Sequence, residues 1–241
     1  MLIGNRYALV VLALIGFSVL GCRSASAQVF VYTSQTSYQA ASFTDDTIQF
    51  DGLTPTPSSA TLYGNPGLLN VGGVTFADPN YTLAVIGPTY SGATFDYPGD
   101  GTATLYTGGG AAHTILNAAL PTNLSASVTA VGTEIGDPVA AASVLVTLTF
   151  SDSSTATYLY SAPYAATGLG YLGFVSLGLN ITSISFYDQE TDTDLNPALA
   201  LDNFSYGIAN PAAVAPEPGS LSLIGLGALA LLLMRRRSVL R

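Results

Sequence analysis

The chain has 241 residues, enough for one sizeable core, and it is 49% hydrophobic with only 9% charged side chains. Six Lys and Arg stand against fifteen Asp and Glu, for a net charge of −9. The six cations are Arg6, Arg23, Arg235, Arg236, Arg237 and Arg241, so the stretch 28–234 holds none; such a body repels phosphate backbones and excludes nucleic-acid binding.

The composition resembles that of a membrane protein, but the apolar runs are confined to the ends. Arg6 precedes "ALVVLALIGFSVL", and "GCRSASAQ" follows. A positive n-region, an apolar h-region and a small-residue site with Ala25 and Ala27 make a secretory signal over 1–27, cut after Ala27 by signal peptidase. A helix of that apolar length rises about 20 Å, short of a hydrocarbon core of about 30 Å. "VLGC" is a competing lipoprotein-like site with Cys22 as the lipidated residue. Cys22 is the only cysteine, so cleavage after Ala27 leaves a domain without thiol or disulfide.

From 28 to 209 the pattern is of strands and turns with almost no helix. β-branched or alternating runs begin at Val29, Thr47, Val71, Tyr81, Thr102 and His113, then at Leu124, Ser143, Ser154, Tyr171, Ile181 and Ala198. Gly, Pro, Asn and Asp separate them, and "FSDSSTATYLY" reads as a hairpin turning at Asp152 to Ser154. A dozen short strands so punctuated predict an all-β sandwich.

Chemistry-bearing constellations are sparse. His113 is the only histidine, no Gly-x-Ser-x-Gly elbow is present, and the glycine-rich "TGGGAA" at Thr107 precedes no P-loop Lys. No catalytic residue is therefore assigned, although a glycosidase needs only two carboxylates. Asp188, Glu190, Asp192 and Asp194 fall at every second position of "DQETDTDLN". They share one face if extended or surround an ion if looped; the spacing lacks the Gly and final Glu of an EF-hand, and a solvated acidic loop is the alternative. Tyr63, Tyr90, Tyr97, Tyr158, Tyr160 and Tyr164 fall in or beside expected loops and edges, where their rings are able to stack on sugar faces.

The C-terminus has three parts: a Pro/Ala linker over 210–218 with Pro216, Glu217 and Pro218, an apolar helix over 219–234, and a tail over 235–241 with Arg235, Arg236 and Arg237. Cations after an apolar stretch act as a stop-transfer signal, each costing about 2.5–3.5 kcal/mol at the membrane centre. Two prolines keep the preceding segment extended, the form a protease active site takes. This tail resembles the PEP-CTERM sorting signal of Gram-negative bacteria. The resemblance implies an exosortase as processing partner, an inner-membrane-anchored precursor held transiently by the helix, and a product at the cell surface or in the extracellular matrix. It also implies an association with exopolysaccharide and biofilm.

The segment "GYLGFVSLGLNITSISFYDQETDTDLNPALALDNFSYG" resembles the closing part of many such ectodomains, a jelly roll similar to carbohydrate-binding modules. That resemblance implies a structural calcium held by Asp202 or Asn203 of the last strand, with Gln49 or Asp51 from "IQFDGL" as partner. The alternative is that Asp202 and Asn203 only turn or cap that strand. Two readings of activity follow: a noncatalytic sandwich that binds or organises polysaccharide, or a secreted glycoside hydrolase or lyase on the same route.

Overall fold

The computed structural model describes residues 27–92, 95–96, 102–108, 114–121, 128–138, 140–189 and 198–214. The signal segment with Ala25 and Cys22, His113, Tyr97, Glu190, Asp192, Asp194 and the tail with Pro216 to Pro218 and Arg235 to Arg237 lie outside them. No helix among the described residues is long and apolar enough to cross a membrane.

Of the sixteen strands among the described residues, fourteen form a jelly-roll-like sandwich in which two large antiparallel sheets enclose one core. The strands of the eight-stranded sheet are β1 (Gln28–Tyr32), β2 (Ser42–Ile48), β3 (Ala60–Leu62), β6 (Leu83–Ile86), β9 (Thr104–Gly108), β11 (Ala130–Gly136), β14 (Gly170–Leu177) and β16 (Ala198–Ala209). Their order is β1-β14-β11-β16-β9-β6-β3, with β2 also paired to β16. The six-stranded sheet contains β4 (Gly67–Val71), β5 (Val74–Asp78), β10 (Ile115–Ala119), β12 (Ala142–Phe150), β13 (Thr155–Ala162) and β15 (Ile181–Asp188), in the order β13-β12-β15-β10-β5-β4. A short ribbon, β7 (Ser91–Gly92) and β8 (Phe95–Asp96), stands apart.

Residue alternation decides which faces meet. In β12 every second side chain from Ala142 to Phe150 is buried, the period expected of a strand with one face on the core. Val144, Val146, Leu148, Ile184 and Phe186 of one sheet share the core with Val131, Ile135, Leu172, Phe174, Leu199 and Leu201 of the other. Edge-to-face rings tie the layers at Phe50–Phe76 and Phe76–Phe204, with centroids 5.5 and 5.1 Å apart.

Two local features depart from the sequence reading. The run starting at Val71 is not one strand: Gly72 and Gly73, both at positive φ, turn β4 into β5. A short helix, α1 (Gln35–Ala41), lies against β14 and buries Tyr38 and Ala41 outside the eight-stranded sheet. Room for it comes from the paired glycines Gly132 and Gly173, because a Cβ at Gly173 would lie 2.6 Å from Tyr38 Cδ2. A second helix, α2 (Pro211–Val214), follows β16 and leads toward the tail.

Candidate functional site

The last strand changes partner halfway along. From Ala198 to Leu201 it pairs with β9, and from Phe204 to Ala209 it pairs with β2. Between these blocks lies a bulge: Gly132 faces Ser205 while Glu134 faces Asp202, so β16 carries one extra residue. Asn203 takes the left-handed conformation at φ 47°, which flips the inward parity from Leu199 and Leu201 to Phe204 and Tyr206. Asn is among the few non-glycine residues suited to that geometry.

Asp202 is fully buried at this bulge. Its Oδ1 accepts the Asn203 backbone N–H at 2.6 Å and its Oδ2 accepts the Thr102 hydroxyl at 2.5 Å. One residue on, the Ala103 N–H donates to Asp51 Oδ1 at 2.8 Å. Thr133 Oγ1 donates to the Asp202 carbonyl at 2.9 Å, and Asn203 Nδ2 donates to Glu134 Oε2 at 3.0 Å. Asp51 and Asp202 are thus brought to one junction through Thr102 and Ala103, while Gln49 and Asp51 are exposed. Among the described residues no group of three or more His, Cys, Asp or Glu stands close enough to hold a metal ion. The hydrogen bonds at this junction clamp the point where β2 gives way to β9.

Asp188 ends β15 with its side chain fully buried, beside Val144 of β12. Its N–H donates to the Thr114 carbonyl at 3.1 Å. Asp78 is equally buried at the end of β5, where Oδ1 accepts the N–H groups of Asn80 and Tyr81 at 2.8 and 2.9 Å and Oδ2 accepts the Thr107 hydroxyl. These are structural uses of carboxylates in a body without cations. At the β12–β13 turn, Asp152 accepts both donors of Ser154, which holds its carboxyl below the usual range. Ala27 packs partly buried against the core, immediately before β1.

The tyrosines divide differently from the sequence reading. Tyr158 and Tyr160 of β13 turn inward against the core, and the Tyr158 ring lies 5.1 Å from that of Phe174. Tyr63 and Tyr90 are partly buried, and Tyr63 Oη donates to the Leu53 carbonyl at 3.4 Å. Tyr164 is half-buried and bridges to Asp137. Tyr187 instead joins the outward face of the six-stranded sheet.

That outer face is ordered in rows. Leu159, Leu145, Tyr187 and Ile115 are in register across β13, β12, β15 and β10. The next row is Thr157, Thr147, Ser185 and Asn117, and the one after it Thr155, Thr149, Ser183 and Ala119. Leu159 is 67% exposed and Leu68, farther along the sheet on β4, is 62% exposed. Neither these rows nor the outward Thr75, Ala77, Leu68 and Asn70 of β5 and β4 contain a charged residue. The face therefore offers hydroxyls and amides at a strand spacing of about 4.8 Å, beside an apolar and aromatic track, on a stretch (28–234) that holds acidic residues but no Lys or Arg. Alternation made each strand legible separately; only the pairing, β10 next to β15 and β15 next to β12, assembles the rows.

Among solved structures, the chain is similar to the CBM22-1 xylan-binding domain from Paenibacillus barcinonensis Xyn10C, at 15% identity and TM-score 0.36 over 69% of this chain and 95% of that one. It is similar to the family 11 carbohydrate-binding module of the cellulosomal cellulase Lic26A-Cel5E of Clostridium thermocellum, at 10% identity and TM-score 0.31 over 68% of this chain and 95% of that one. It is also similar to the enzymatically active domain of bacteriophage CBA120 tailspike protein 4, at 15% identity and TM-score 0.32 over 70% of this chain and 21% of that one. No curated protein matches the chain in sequence. Beyond α2, residues 214–237 match the PEP-CTERM protein-sorting motif, so the chain carries that signal at the end of its sandwich.

Proposed function

We propose that this is an exported, noncatalytic protein of the cell envelope or extracellular matrix, processed by an exosortase at its PEP-CTERM tail, whose sandwich associates with biofilm exopolysaccharide. The observation that carries the reading is the uncharged outer face of the six-stranded sheet on a body that holds all fifteen acidic residues and no Lys or Arg. Thr, Ser and Asn rows are able to exchange hydrogen bonds with sugar hydroxyls, and the Leu159–Tyr187 track supports the apolar faces of sugar rings. Elsewhere the molecule's negative field opposes uronate or sulfate polymers. The ligand class that fits is a neutral polysaccharide.

The test uses mature protein recovered from the culture medium. It is passed over immobilised neutral glucan or xylan and over alginate at low salt, and the reducing ends released from each polymer are counted. Retention on a neutral polymer, none on alginate, and no new reducing ends are expected. Tyr187→Ala combined with Leu159→Ser, both on the outward face, is expected to weaken retention by about tenfold, roughly 1.4 kcal/mol. Equal retention of the double variant removes the face from the reading, and released reducing ends establish the enzyme in its place.

A further inference from the structure

Strand β1 begins at Gln28, directly after the expected cleavage point at Ala27, and it is the outermost strand of the eight-stranded sheet. Its register is fixed by pairing Gln28 with Leu177 and Tyr32 with Gly173. Val29 packs partly buried against the core, whereas Gln28 is exposed and its side-chain amide makes no hydrogen bond among the described residues. Removal of the leader thus produces a terminal glutamine whose backbone is held at a sheet edge and whose side chain is exposed.

We infer that Gln28 is a modification site: after cleavage it closes to a pyroglutamyl residue. The α-amine has an ordinary pKa of about 7.7–8.0, so an appreciable fraction is the neutral nucleophile near pH 7. Its nitrogen attacks the side-chain amide carbon Cδ; the N–Cδ bond forms and the Cδ–Nε2 bond breaks. The amide nitrogen takes a proton from the α-amine and leaves as ammonia. The products are a five-membered lactam and one ammonia, with no oxidant, reductant or co-reactant. The lactam keeps one N–H, and the Gln28 carbonyl is unchanged.

The consequence is electrostatic as well as protective. With no Lys or Arg between residues 28 and 234, the α-amine is the most basic group that leader and tail removal leave on the domain. Cyclisation converts it to a neutral amide and leaves an aminopeptidase without a free terminus.

The same feature makes the test simple, because an amine-reactive reagent has no lysine to modify. Mature protein from the medium is treated with an amine-reactive label, cut with chymotrypsin and weighed by mass spectrometry. The expected result is an unlabelled peptide beginning at residue 28 and lighter than its sequence by one ammonia. Pyroglutamyl aminopeptidase then exposes the amine of Val29, which takes the label. Gln28→Ser is expected to carry a single label without enzyme treatment. A labelled, full-mass Gln28 peptide in the native protein overturns the proposal, and so does a Gln28→Ser chain that stays blocked. A mature terminus at any other residue overturns both the cleavage after Ala27 and the modification, while leaving the reading of the tail and of the sheet face intact.

Discussion

Asp202 places a buried carboxylate where no cation is available, and neutral donors do the work instead. Removing the carboxylate as Asp202→Ala leaves the Thr102 hydroxyl and the Asn203 N–H without this acceptor. Both donors are half-buried, so the variant should lose about 1–3 kcal/mol in urea denaturation, with the slope unchanged if the fold is otherwise kept. The neighbouring position separates backbone from side-chain effects. At φ 47°, Asn203→Gly relieves the backbone and forfeits only the bond to Glu134, whereas Asn203→Val adds a left-handed penalty of about 1–2 kcal/mol. A Val variant as stable as the Gly variant contradicts the bulge. "LDNF" marked Asp202 and Asn203 in the sequence, but nothing in "TATLYT" marked Thr102 as the partner of Asp202. That contact spans one hundred residues and exists only once β16 has switched neighbours.

At the scale of elements, strand periodicity was the legible part. The runs at Ser143, Ser154, Tyr171, Ile181 and Ala198 correspond to β12 through β16, and the Asp152 turn joins β12 to β13. The helix α1 was not legible, because "QTSYQAA" is only two turns long and its N-cap Ser34 makes no side-chain capping hydrogen bond; packing creates it. Its anchor is Tyr38, whose ring lies 5.6 Å from that of Tyr171. Among the described residues neither hydroxyl finds a hydrogen-bond partner in good geometry. Burial pushes the Tyr38 phenol up to about 12, with Ser205 and Ser42 opposing, and burial together with Tyr38 raises Tyr171. Both groups are neutral below their unfolded pKa near 10, so their contribution is complete there. As pH rises from 10 through 12 the unfolded chain ionises first, and stability falls. Tyr38→Phe keeps the ring and deletes the buried hydroxyl. It should match or exceed the native protein by up to about 1 kcal/mol at pH 7 and show a smaller alkaline loss, read from melting temperatures at pH 8 and 11. A larger alkaline loss in the variant contradicts this account.

Across the whole molecule, charge separates the ends from the body more sharply than hydrophobicity does. Every Lys or Arg lies in 1–27 or 235–241, and the sorting motif at 214–237 reaches the first three of the last group. A protease that cuts only after Lys or Arg therefore reports on tail processing and not on folding. If leader and tail are both removed, trypsin leaves the protein at full length even in urea, where a folded core offers no protection, while chymotrypsin degrades it through its tyrosines and phenylalanines. If the tail is retained, trypsin trims the chain at Arg235 to Arg237 and the mass falls by a few residues. Extracellular protein is expected to behave in the first way and membrane-fraction precursor in the second. Internal trypsin fragments are forbidden in either case by the cation-free stretch. Trimming of the extracellular form contradicts exosortase processing, because it requires arginines that a cut near Pro216 to Pro218 has removed.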